Sequence, residues 1–188
     1  MFNLMLLTIS TCLALISPII YSIEIIRGNA RPHRTTRLVL LIITSLSTVS
    51  LLAQGNKTAV WLAFASMLQS TVIFLLSLKY GMGGKSGFDI LCLLIAFLGI
   101  ILWQVTRNPI FGLVFSVFAD FIGMVPAILK TYRQPETEVW LFFALDTIAA
   151  LLNLLVVSNY TFSEVLFPVY IFVINLVMVF LALRKQEI

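Results

Sequence analysis

Two carboxylates sit where this chain is otherwise oily. Asp120 lies within the apolar run 109–130 and Asp146 within the run 138–157, each near the middle of its stretch. An ionised carboxylate at bilayer depth costs at least about 2.5–3.5 kcal/mol, so such a residue must face protein or water. The pair has the chemistry to bind a proton or a cation, or to orient a polar solute. It would also serve as neutral hydrogen-bonding groups that lock helix contacts. Gln69 and Asn175 are centred in two further runs, so four polar side chains converge on one depth if the runs are helices. Amides at that depth bind a solute or bridge helices. Asn153 and Tyr21 are further candidates for a polar pathway.

The elements that must position these groups follow from composition. The 188 residues are 61% hydrophobic and 11% charged, and mean hydropathy is +1.08, far from the range of soluble domains. Runs long enough to cross about 30 Å of hydrocarbon occur near 2–26, 37–54, 59–79, 88–106, 109–130, 138–157 and 164–183. The expectation is an integral membrane protein of seven helices, with function in the bundle or its short loops. The first run has no basic leader and no small-x-small cleavage site, so it is read as a mature helix and not a signal peptide.

All twelve Lys and Arg residues except Lys57 and Arg107 fall on one side of this arrangement. Basic residues are retained in the cytoplasm, which predicts an outside N-terminus and a cytoplasmic C-terminus. The lone His33, among Arg31, Arg34 and Arg37, belongs to the same signal. The basic balance is thereby a topology signal and implies no nucleic-acid partner. Cys12 and Cys92 fall inside runs and read as packing residues, with no disulfide framework or metal site. Asn56-Lys57-Thr58 and Asn159-Tyr160-Thr161 read as glycosylation sequons on the outer side. Gly84-Lys85-Ser86 imitates the end of a phosphate loop, but Lys79 stands where the first glycine belongs and no strand precedes it. A glycine-rich connection between two halves is the better reading. No nucleophile–histidine pair or H-E-x-x-H motif is present, so no enzyme is expected.

The two halves show themselves when their internal prolines are aligned. Pro18 and Pro126 each sit inside an apolar run, followed by a basic residue, a short polar loop, a second proline (Pro32, Pro135) and the next run. Aligning Lys79 with Lys185 also places Gln69 on Asn175. A proline inside a helix removes one backbone hydrogen bond and bends or hinges it. Pro18 and Pro126 are therefore paired hinge candidates, with a static kink as the alternative. Three helices, a linking helix and three more helices describe the chain, and the extra span makes the triplets parallel.

With "SPIIYSIEIIRGNARPHRTTR" in the first half and "VPAILKTYRQPETEVW" in the second, the chain resembles the PQ-loop superfamily, which includes SWEET and SemiSWEET sugar transporters, cystinosin-like carriers and the KDEL receptor. The resemblance covers essentially the whole chain as a 3+1+3 plan. Ile19 and Ala127 follow the two prolines, so neither half carries the glutamine that names the family. The resemblance assigns Trp140 to the tryptophan near the start of the second helix of a triplet, with Arg37 at the matching place in the first half. It maps Gln69 and Asn175 onto the mid-helix asparagines of the third helices.

The resulting expectation is an all-α membrane protein built as two parallel triple-helix-bundle repeats joined by a linker helix. The first bundle is 1–80, the glycine-rich loop and linker helix 81–107, and the second bundle 108–188. Its function would be to move a small polar solute, such as a sugar or an amino acid, by alternating access with proton or cation coupling open. A cargo or ligand receptor of KDEL-receptor type, without transport, is the alternative. Asp120, Asp146, Gln69, Asn175, Trp140 and Asn153 are the binding candidates. Expected partners are the solute, the lipid bilayer and, as an open option, further copies of the chain. No cofactor is expected, and the compact plan points to a bacterial-type inner or plasma membrane.

Overall fold

Seven helices account for nearly all of the described chain in the computed structural model, which describes residues 2–30, 32, 34–81, 87–135, 138–157 and 160–184. They are α1 (Phe2–Ile26), α2 (Arg34–Ala53), α3 (Ala59–Tyr80), α4 (Gly87–Thr106), α5 (Ile110–Arg133), α6 (Trp140–Val156) and α7 (Phe162–Leu183). All but α6 are long and apolar enough to cross a membrane, and α6 is a shorter apolar helix of 17 residues. Helices suit this composition because every backbone N–H and C=O is satisfied within the segment, the condition hydrocarbon imposes. Arg31, His33, Lys85, the Gly84-Lys85-Ser86 stretch, Asn159 and Lys185, which entered the sequence reading, lie outside the described residues.

The prolines are absorbed without ending their helices. α1 runs through Pro18 and α5 through Pro126, and α7 contains a third, Pro168, which is fully buried. Pro18 leaves the Ala14 carbonyl without its helical donor. The Ser17 hydroxyl lies 3.3 Å from that oxygen, but it has one proton to give and the Asp146 carboxylate, at 2.5 Å, is the closer acceptor. α1 then stops at Gly28, whose φ of +82° is left-handed backbone that a glycine adopts without strain.

Packing is selective. α3 lies between α1 and α2, and α7 lies between α5 and α6. With α1–α3 and α5–α7 labelled as two triplets for description, they meet where α1 packs on α6 and α2 on α5, with α3 also touching α7. α4 leans chiefly on α5 and to a smaller extent on α2. Buried hydroxyls stitch both crossings: Ser10 donates to the Ala149 carbonyl at 2.7 Å, and Ser47 and Ser116 share a hydrogen bond of 2.7 Å. Small residues at these seams, including Ala14, Ala59, Ala63, Ala149 and Ala150, let the helices approach closely, which is how membrane helices gain contact without a hydrophobic driving force. Large apolar side chains such as Leu4, Ile16, Leu94 and Phe180 cover the outer surface and fit contact with lipid.

One sequence reading is corrected here. Asn56 is not a displayed sequon, because its side chain is buried and its Oδ1 accepts from the backbone N–H groups of Thr58 at 3.0 Å and Val60 at 3.3 Å. It closes the start of α3, where unpaired N–H groups need an acceptor.

The α4–α5 contact depends on Gly99, where an added Cβ would come within 2.5 Å of the Phe115 Cβ. Gly99→Leu should lower thermal stability in detergent by about 1–3 kcal/mol through overpacking. Gly87→Ala, at a position with open space, should leave it within about 0.5 kcal/mol.

Candidate functional site

A cavity of about 450 Å³ lies between the triplets, and all seven helices contribute to its wall. Its mouth is marked by Pro32, Thr36, Phe88, Lys130 and Glu138, at the N-termini of α2 and α4, the C-terminus of α5 and the segment before α6. This is the end that carries most of the basic residues. Toward the other end the bundle is shut by a tight apolar cluster containing Ala14, Leu51, Leu62, Ala63, Leu113 and Ala150. The cavity is therefore one-ended, and it lies within the roughly 300–1,000 Å³ range of small-molecule sites.

The four mid-helix polar residues all reach it. Asp120 of α5, Asp146 of α6, Gln69 of α3 and Asn175 of α7 line one wall or another. Asp146 is buried and accepts from the Ser17 hydroxyl at 2.5 Å and from the Gln69 amide at 3.2 Å. Both donors come from the first triplet, so this carboxylate ties the triplets together at mid-depth. Asp120 is half-buried and accepts a hydrogen bond from the hydroxyl of Tyr170 on α7. Asn175 donates to the Ile171 carbonyl of its own helix at 2.8 Å.

Two expected candidates stand apart. Trp140 is 46% exposed in the first turn of α6 and lies in a shallow surface cleft with Ile20, Glu24 and Asn29. Asn153 is fully buried at the sealed end and donates to the Thr58 carbonyl at 3.2 Å. Of the hinge candidates, Pro126 lines the cavity, whereas Pro18 is buried beside Ser17 and does not.

Three site residues escaped the sequence reading. Tyr170 and Ser17 hold the carboxylates, and Arg37 reaches the cavity near its mouth, donating to the Tyr21 hydroxyl at 3.0 Å. A phenol inside the apolar run 164–183, five residues before Asn175, was the available signal for Tyr170, because a buried hydroxyl needs a partner. Beside Arg37, Tyr21 and Phe142 pack at a tilt of 39° with ring centroids 5.1 Å apart, and Phe143 meets Phe142 edge-on at 4.9 Å. At the mouth, Lys130 Nζ lies 3.0 Å from Glu138 Oε1. Lys130 is half exposed, so that pair contributes at most about 1 kcal/mol.

Chemically, the arrangement offers two carboxylates whose present partners are all neutral donors. A carboxylate has room for about four acceptor contacts. Both can therefore take a further donor from a ligand without first giving up a cation. Among the described residues no group of three His, Cys, Asp or Glu side chains converges as a metal site.

Replacing Asp146 by Leu would leave the Ser17 hydroxyl and the Gln69 amide without an acceptor, and should cost about 1–3 kcal/mol of thermal stability. Asp146→Asn, which keeps an acceptor oxygen, should cost clearly less. In a Cys12→Ser background, thiols introduced at Thr36 and Ser70, both on the cavity wall, should react faster with a hydrophilic maleimide added from the basic side than with the same reagent added from the other side. A thiol at the fully buried Ser10 should not react from either side.

Comparison with protein-family models, with curated proteins and with solved structures finds no match to this chain.

Proposed function

We propose that this chain is a secondary carrier that moves a small polar solute by alternating access, with two parallel triple-helix bundles rocking about a central site in the manner of the SWEET-like proteins it resembles. The observation that carries this reading is the one-ended cavity between the triplets, with Asp120, Asp146, Gln69 and Asn175 on its wall at mid-helix depth. Repeat-built transporters keep their sites near the bilayer midplane at such an interface.

The packing pattern supports the repeat. Exchanging α1, α2 and α3 with α5, α6 and α7 turns every helix–helix contact outside α4 into another observed one: α1–α6 becomes α2–α5, α1–α3 becomes α5–α7, and α2–α3 becomes α6–α7. α4 is then the linker helix. If the basic end is cytoplasmic, as the distribution of Lys and Arg predicts, the conformation is inward-open and the apolar cluster around Ala14 and Leu62 is the closed outer gate. A receptor of KDEL-receptor type would instead present its cavity on the outer side, where the described residues are packed shut.

The test is solute-triggered charge or proton movement in proteoliposomes, with Asp120→Asn and Asp146→Asn alongside the native chain. A carrier gives a saturable, solute-specific signal, and loss of a charged hydrogen-bond partner should reduce it about ten- to hundredfold in at least one variant. Uptake unaffected by both substitutions would remove the carboxylates from the transport step and leave them a structural role. Silence in both charge movement and tracer uptake across a broad panel would reject the carrier reading.

A further inference from the structure

The cavity holds charges of both signs that make no ion-pair contact with each other, although Arg37 lies within electrostatic reach of Asp120. Arg37 stands in the first turn of α2, half-buried, and its guanidinium has two partners on one residue: the Tyr21 hydroxyl at 3.0 Å and the Tyr21 ring, 5.2 Å from the arginine Cζ. Both are neutral. Among the described residues the ion pairs are Arg27–Glu24 and Lys130–Glu138, so no carboxylate neutralises Arg37 at contact distance. Lys130, the other cation on the wall, is already matched by Glu138. Asp120 and Asp146 are held by Tyr170, Ser17 and Gln69, none of which is charged.

We propose that the ligand of this cavity is a small zwitterion of the amino-acid type, its carboxylate on Arg37 and its ammonium toward Asp120 and Asp146. The assignment rests on the carrier reading and names the class of solute carried. Three other solute classes fit less well. A neutral polyol leaves the guanidinium fork without its natural planar acceptor. An anion alone meets Asp120 and Asp146, against one arginine with no carboxylate at contact distance. An amine alone satisfies the carboxylates but must pass Arg37 near the mouth. A molecule with both charges answers each group in turn: the fork takes a carboxylate bidentately, and an ammonium has three donors for two carboxylates. The tilted rings of Tyr21 and Phe142, beside Arg37, provide an apolar flank for a side chain.

The experiment is counterflow in proteoliposomes containing the native chain, preloaded in turn with alanine, leucine, lysine, glutamate, glucose and a nucleoside. For any solute carried, its decarboxylated and deaminated analogues are added as competitors. The expected result is exchange of at least one amino acid, with each analogue competing about tenfold or more weakly, as loss of a charged hydrogen bond implies. Arg37→Gln should then narrow the gap between the amino acid and its decarboxylated amine, and Arg37→Lys should partly restore it. Exchange of glucose or the nucleoside without any amino acid overturns the zwitterion and leaves the carrier standing. Equal competition by the amino acid and both analogues overturns it as well. No exchange of any solute overturns both readings. The analogue series uses only the native chain, so a variant that fails to fold does not rescue the proposal.

Discussion

The hydrogen bonds from Ser17 and Gln69 to Asp146 fix the middle of this bundle, and the cavity lies where it does because of them. Hydrocarbon offers no water to a stray polar group, so a carboxylate at that depth has to recruit donors from neighbouring helices. Asp146 takes them from α1 and α3, across the seam between triplets. On one side of this tie, small side chains allow close approach and the seam is closely packed and apolar. On the other, the bulk of Tyr21, Phe142 and Phe143 and the polar ends of α2 and α5 hold the helices apart. Pro18 contributes indirectly: the carbonyl it frees and the carboxylate across the seam both look to the one hydroxyl of Ser17.

That geometry also separates what the amino-acid sequence made readable from what it did not. The helices were legible because apolar run length maps directly onto bilayer thickness, and the spans differ from expectation mainly at ends, where polar turns such as Arg34–Thr36 continue a helix beyond the oily stretch. Asp120, Asp146, Gln69 and Asn175 were legible because a polar residue in the middle of an apolar run must face inward. Their partners were not. Which hydroxyl meets which carboxylate depends on the rotation of one helix against another, and periodicity within a single helix carries no information about that. Asn153 shows the limit: it is two turns beyond Asp146 on α6, so it shares a face with it, yet it lies at the sealed end. Trp140 rested on the resemblance alone, and the start of a helix is where an aromatic side chain can sit exposed at the interface.

Asn56 makes a related point about short motifs. Three residues spelled an acceptor for sugar, but the same asparagine closes the start of α3 and is buried in doing so. A local pattern has several physical uses, and the fold selects among them.

The attachment of α4 makes the two bodies unequal. It rests on α5 and shows lipid most of its surface, so the second triplet carries a fourth helix and the first does not. The two sides of the seam thus present different perimeters to the surrounding acyl chains. Stretching or thinning the bilayer loads a longer perimeter more than a shorter one. In the carrier we propose, a rocking motion about this seam would be coupled to membrane thickness and lateral tension, and the equilibrium between its end states would be a property of the lipid as well as of the chain.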